Sequence, residues 1–160
     1  MDTGNKALRE VEGVLGPLAA ASVDALTLLP NQRALAQDLR QAAATSGRSV
    51  AMLLVQLEDL PRINGTAGYD AGDRLIQVAA RNAQRMAARY GGTAYRFSGR
   101  RMAMMTPLAD DENGDRLIEA LRTEFAAGPS VRTTLSVLRE GERPSEALER
   151  LTRSLRAGHR

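Results

Sequence analysis

The stretch Val50-Ala51-Met52-Leu53-Leu54-Val55-Gln56-Leu57 decides the fold of this 160-residue chain. All of its residues except Gln56 are apolar, without the alternation expected of a strand that has one face in water. The run is far too short to cross a membrane. It is typical of a central strand that is buried on both faces. We therefore expect a sheet built around residues 50–57.

Amphipathic patterns lie on both sides of this strand. A helix is predicted to begin near Asn31, with Leu35, Leu39 and Ala42 on its apolar face. A second helix is predicted after the strand, over about residues 70–90, ended by a pair of glycines. These helices are long enough to cover the sheet.

The second half of the chain supplies further strands. Residues 93–97 and 101–105 flank the turn Ser98-Gly99-Arg100 and predict a hairpin. A helix around 117–125, an alternating strand at 131–137 and a helix around 148–155 follow. The resulting βαββαβ order with an added helix predicts an α/β (α+β) fold, a mixed sheet flanked by helices.

The first residues carry a separate apolar stripe. Leu8, Val11 and Leu15 recur at helical spacing. We predict an extra N-terminal helix or linker in residues 1–23 and a single domain in residues 24–160. The stripe on the leading helix is a candidate surface for a partner.

Composition excludes several classes of protein. Because the chain has no cysteine, it forms no disulfide, thiolate metal site or cysteine nucleophile, and it suits the reducing cytoplasm. The longest apolar run predicts no membrane span. The net charge is +3, but the arginines are spread over several helices among acidic residues, so we predict no nucleic-acid binding.

Two strings point to one family. Residues 24–33, DALTLLPNQR, resemble the D-x-L-T-G-L-P-N-R opening of GGDEF (diguanylate cyclase) domains, with Leu28 in the place of the usual glycine. Residues 60–73, LPRINGTAGYDAGD, resemble the string F-K-x-I-N-D-x-x-G-H-x-x-G-D without a gap. With the matching element order, the resemblance covers about residues 24–160.

The resemblance implies chemistry for which key residues are changed. Diguanylate cyclases join two GTP molecules with the help of divalent cations, which need carboxylate ligands. Gln56 stands at the first ligand position, and Pro61 and His159 replace two lysines that contact phosphate. The signature G-G-D/E-E-F is replaced by Ser98, Gly99, Arg100, Arg101 and Met102. We therefore predict a degenerate domain that is not an enzyme, with no catalytic residue, no metal and no other cofactor.

Asn64 and Asp73 match the guanine contacts of the family, and the resemblance implies a vestigial purine pocket. Purely structural roles are the alternative, with Asn64 capping a turn and Asp73 in the first turn of a helix. Arg100 and Arg101 are either a clamp for phosphate or carboxylate, or solvated turn residues. The family's product site, R-x-x-D, reads Arg89 to Gly92 here, without its acid.

These observations predict a regulatory, protein-interaction module of cyclic di-GMP signalling in the cytoplasm. Its partner is expected to be another protein of that system or a second copy of this chain, bound by the hairpin residues Ser98, Gly99, Arg100 and Arg101 or by the leading helix. The alternative function is a metal-independent sensor that binds GTP or another purine nucleotide weakly through Asn64 and Asp73.

Overall fold

The structure, a computed structural model, describes residues 22–45, 47–109 and 113–157. In chain order its helices and strands are α1 Gln32–Ala44, β1 Ser49–Leu57, α2 Leu60–Ala67, α3 Tyr69–Arg89, β2 Thr93–Ser98, β3 Arg101–Leu108, α4 Asn113–Phe125, β4 Val131–Val137 and α5 Pro144–Arg156. The predicted α+β fold class and βαββαβ order are confirmed. Helix α2 was not predicted, because it is only eight residues long and carries Pro61 and Gly65.

Strand β1 lies inside a four-stranded sheet of order β2-β3-β1-β4. It pairs antiparallel with both β3 and β4, and β2 pairs antiparallel with β3. The prediction that the sheet is mixed is wrong in this detail. Helical connections do join the parallel strands β1 and β2, but β3 lies between them, so that every neighbouring pair is antiparallel.

Helices cover both faces of β1, and residues 51–57 are buried throughout. One core cluster joins Leu53 to side chains of α3 and α4, and the other joins Leu54 to side chains of α1 and α5. Ala43, rather than the predicted Ala42, completes the buried face of α1. The two-sided cover explains why an antiparallel strand has a continuous apolar sequence.

The predicted hairpin is confirmed, and it ends beside the end of β1. In the pairing of β1 with β3, Arg101 lies opposite Gln56. The backbone N–H of Leu57 donates a hydrogen bond of 2.8 Å to the carbonyl of Arg100. The turn of the hairpin is therefore held against the residues that follow β1.

The predicted leading helix with Leu8, Val11 and Leu15 lies outside the described residues, as does His159. Within the part of the chain that is described, no helix combines the length and the apolar character needed to cross a membrane.

Candidate functional site

The side chains of Gln56 and Arg101 are joined across the β1–β3 pair. Nε of Arg101 donates a hydrogen bond of 2.8 Å to Oε1 of Gln56. Gln56 is only 5% exposed, whereas Arg101 is half-buried. The buried amide thus fixes the direction of the guanidinium group, which lies at the end of the β1–β3 pair, next to the turn of the hairpin.

Other arginines surround Arg101. Burial lowers the pKa of Arg101, and the nearby charges of Arg156 and Arg100 lower it further, although a guanidinium stays protonated in a protein. Among residues 22–45, 47–109 and 113–157, no acidic side chain forms an ion pair with any of the three. We call Gln56, Arg100, Arg101 and Arg156 the arginine site. Its excess of positive charge suits an anion.

The carboxylates that follow β1 have partners elsewhere. Oε1 of Glu58 lies 2.7 Å from Nε of Arg132, in an ion pair that is not aligned as a hydrogen bond. Asp59 lies 3.6 Å from Nη2 of Arg62. The described residues contain no group of three or more side chains able to hold a metal ion. Because hard divalent cations require anionic oxygen ligands, the arginine site does not fit the ions that the resemblance implies.

The packing of α2 on α3 places Asn64 against Gly72, the residue that precedes Asp73. A Cβ atom at Gly72 would lie 1.7 Å from Oδ1 of Asn64, so only glycine lets this amide lie against α3. Asp73 follows directly and is exposed. Neither side chain has a hydrogen bond or an ion pair within the described residues. Both polar groups are therefore available to a ligand.

The structural role considered for Asn64 is not observed. Gly68 ends α2 and precedes α3, and no side chain caps either helix at this junction. Asn64 lies within α2, away from the turn that it was expected to cap. Asn64 therefore does not cap this junction, and its role in binding stays a prediction.

The residues that match the product site of the family are arranged differently. Nη2 of Arg89 lies 3.6 Å from Oε2 of Glu124, and Arg85 forms an ion pair with the same carboxylate. A Cβ atom at Gly92 would lie 2.0 Å from the carbonyl oxygen of Met105. The structure therefore pairs Arg89 with Glu124 at the surface and leaves no room for an acidic side chain at position 92.

Arg156 was missed by the sequence analysis. It is the last residue of α5 and lies three positions before His159, which the motif placed at a lysine position. The packing of α5 on β1 and β4 brings the charge of Arg156 near enough to act on Arg101. Pro61 lies in the first turn of α2, where the missing N–H is tolerated.

Comparison with known proteins shows which family the chain resembles in sequence. The family sequence model described as "Diguanylate cyclase, GGDEF domain" matches residues 21–134. Diguanylate cyclase DgcP of Pseudomonas aeruginosa is 35% identical over 112 residues, which cover 68% of this chain and 16% of DgcP. Diguanylate cyclase VdcA of Vibrio cholerae is 30% identical over 87 residues, which cover 54% of this chain and 25% of VdcA. The chain thus spans a quarter or less of these relatives.

Solved structures share the fold. The coiled coil and GGDEF domain of DgcB from Caulobacter crescentus, in complex with c-di-GMP, superposes with a TM-score of 0.80 at 23% identity, covering 98% of this chain and 90% of that chain. Diguanylate cyclase SiaD from Pseudomonas aeruginosa, in complex with its activator SiaC, gives a TM-score of 0.73 at 24% identity. The superposition covers 98% of this chain and 64% of that chain.

The comparisons contradict the prediction that the chain is not an enzyme. The matching family and both curated relatives carry the name diguanylate cyclase. That prediction rested on a few positions in and around a five-residue signature, whereas the match to DgcP extends over 112 residues. The wider similarity points to a family of enzymes.

Proposed function

This chain belongs to the GGDEF family of diguanylate cyclases, and on that premise we propose that it is a regulatory domain of cyclic di-GMP signalling that binds a guanine nucleotide. The observation that carries the proposal is the arginine site, in which Arg101 is bonded to Gln56 beside Arg100 and Arg156. We place its action in the cytoplasm, which suits a chain without cysteine.

The arginine site supplies the chemistry to hold phosphate groups directly. A guanidinium group offers a planar fork of N–H donors that matches two oxygens of one phosphate. Because Gln56 already orients Arg101, less side-chain freedom is lost when an anion binds. Positive charge here replaces the charge that a divalent cation would bring, so binding is expected to be independent of magnesium.

Asn64 and Asp73 supply complementary groups for the base. The Watson–Crick edge of guanine has two neighbouring N–H donors and one carbonyl acceptor. A carboxylate such as Asp73 accepts from the donors, and the amide of Asn64 donates to the carbonyl. Both side chains are free of other partners among the described residues, and Asn64 packs against Gly72, the residue that precedes Asp73.

Calorimetric titration with GTP, in magnesium and again in EDTA, tests the proposal. We expect saturable binding with the same Kd in both conditions. Loss of one charge-assisted contact in Arg101→Ala should weaken binding about tenfold or more. Arg116→Ala is the matched control, because Arg116 is an exposed arginine on α4 that has no ion pair in the described structure. Absence of GTP binding, or binding that needs magnesium, would contradict the proposal.

A protein partner is the second candidate. Ser98 and Gly99 are exposed at the tip of the hairpin. Arg100, which follows them, can therefore contact an acidic surface on a partner protein. SiaD, which shares the fold, was solved with an activator protein. In this case Arg100→Glu abolishes co-purification of the partner while the domain stays folded. Loss of the partner only on substitution of Leu8, Val11 and Leu15 would assign binding to the leading segment instead.

A further inference from the structure

Tyr69 is the most exposed aromatic side chain of the described residues. It is the first residue of α3, and 76% of its surface is open to solvent. The other two tyrosines of the chain, Tyr90 and Tyr95, are 37% and 1% exposed. Because the ring makes little contact with the core, it is open to contact by a ligand.

The position of Tyr69 connects it to the two free polar side chains. Asp73 follows it by four residues, which places both on one face of α3. Gly72, three residues after Tyr69, is the position against which Asn64 packs. An aromatic ring, a carboxylate and an amide therefore border one small surface at the start of α3.

We infer that Tyr69 stacks on the purine ring of the bound nucleotide, an assignment that rests on the proposed function and adds a contact to the flat face of the base. An aromatic side chain stacks on the flat face of a base while hydrogen bonds read its edge. Asn64 and Asp73 provide those bonds, and the arginine site provides the contacts to phosphate. Because different residues contact the base and the phosphates, their contributions to the binding free energy can be measured separately.

Titrations with GTP and with inorganic triphosphate test the assignment. Removal of a stacking ring in Tyr69→Ala should weaken GTP binding about tenfold and leave triphosphate binding unchanged. Tyr69→Phe keeps the ring and should bind GTP as the wild type does. Tyr90→Ala is the matched control, because Tyr90 caps the other end of the 21-residue helix, about 30 Å away.

The outcomes separate this inference from the function on which it rests. Equal GTP affinity for Tyr69→Ala and the wild type overturns the stacking role and leaves the arginine site intact. An equal loss of GTP and triphosphate binding also overturns it, because stacking affects only the base. A loss confined to GTP, together with Arg101→Ala having no effect, supports Tyr69 and overturns the arginine site. If the wild type binds neither ligand, both fail.

Discussion

Nη1 of Arg96 lies 3.1 Å from Oδ2 of Asp24 and joins β2 to the loop that precedes α1. The same carboxylate oxygen accepts a hydrogen bond of 2.9 Å from the backbone N–H of Thr27 and one of 2.7 Å from its hydroxyl. Burial by itself raises the pKa of Asp24, but the bonds from Thr27 and the charge of Arg96 outweigh it and hold the pKa below its ordinary value of 3.8.

Acid should therefore remove the contribution of Asp24 to stability. A carboxyl group whose pKa is lowered by folding stabilises the folded state above its unfolded pKa, and the contribution is lost as the pH falls through the folded pKa. We expect Asp24→Asn to unfold more easily at pH 7 by about 1.5–3 kcal/mol. At pH 2 the difference should shrink. Urea unfolding at both pH values measures it, and an unchanged difference would contradict the assignment.

Leu28 adopts a backbone conformation that suits glycine. Its φ angle is 62°, in the left-handed region, and 68% of its surface is exposed. A residue with a side chain costs about 1–2 kcal/mol in this conformation, and glycine avoids that cost. Because glycine also loses more conformational freedom on folding, roughly 0.5–1 kcal/mol of the gain is offset. We expect Leu28→Gly to raise the melting temperature and Leu28→Ala to leave it unchanged. A fall in both variants would show that the side chain of Leu28 itself stabilises the fold.

Gly72→Ala should affect the ligand more than the fold. The added Cβ displaces the carboxamide of Asn64, which is able to rotate away, so we expect the free energy of unfolding to fall by only about 1 kcal/mol. GTP binding should weaken as much as in Asn64→Ala. In a double-mutant cycle, Gly72→Ala should add nothing once Asn64 is alanine. Additive losses in GTP affinity would contradict this coupling.

Gly92→Ala should be the more damaging glycine substitution. Its Cβ would meet the backbone carbonyl of Met105 at 2.0 Å, and backbone does not rotate aside. We expect a loss of about 3 kcal/mol in the free energy of unfolding. Gly99→Ala is the control, because its Cβ would enter open space and should change stability by about 0.5 kcal/mol at most. Similar losses in the two variants would contradict the packing argument.

Sequence patterns predicted where the helices and strands lie, but not which strands pair with one another. A continuous apolar run located β1, which is buried on both faces, and apolar periodicity located α3, which buries one long face. The pairing of strands depends on contacts between distant segments, which periodicity does not record, and so the antiparallel sheet was missed. The short α2 was missed because its own residues favour a turn as much as a helix.

Only those site residues that lie in a family motif could be predicted from the sequence. Gln56 and Arg101 were marked as substituted positions by the resemblance, but their hydrogen bond depends on the register between β1 and β3. Arg156 joins them through the packing of α5, which no local string encodes. Asn64 was found as a matching residue, while its freedom from partners needed the structure.

The close packing at Gly92 also bears on the history of the chain. Evolution proceeds by single substitutions that must each keep the protein folded, and natural stability amounts to only about 5–15 kcal/mol. An aspartate at position 92 would first have to separate the backbone there from Met105. An acidic residue therefore cannot be placed at position 92 in one step on the backbone seen here. A variant that needs an acidic side chain near Arg89 would obtain it more readily by substitution at a different position.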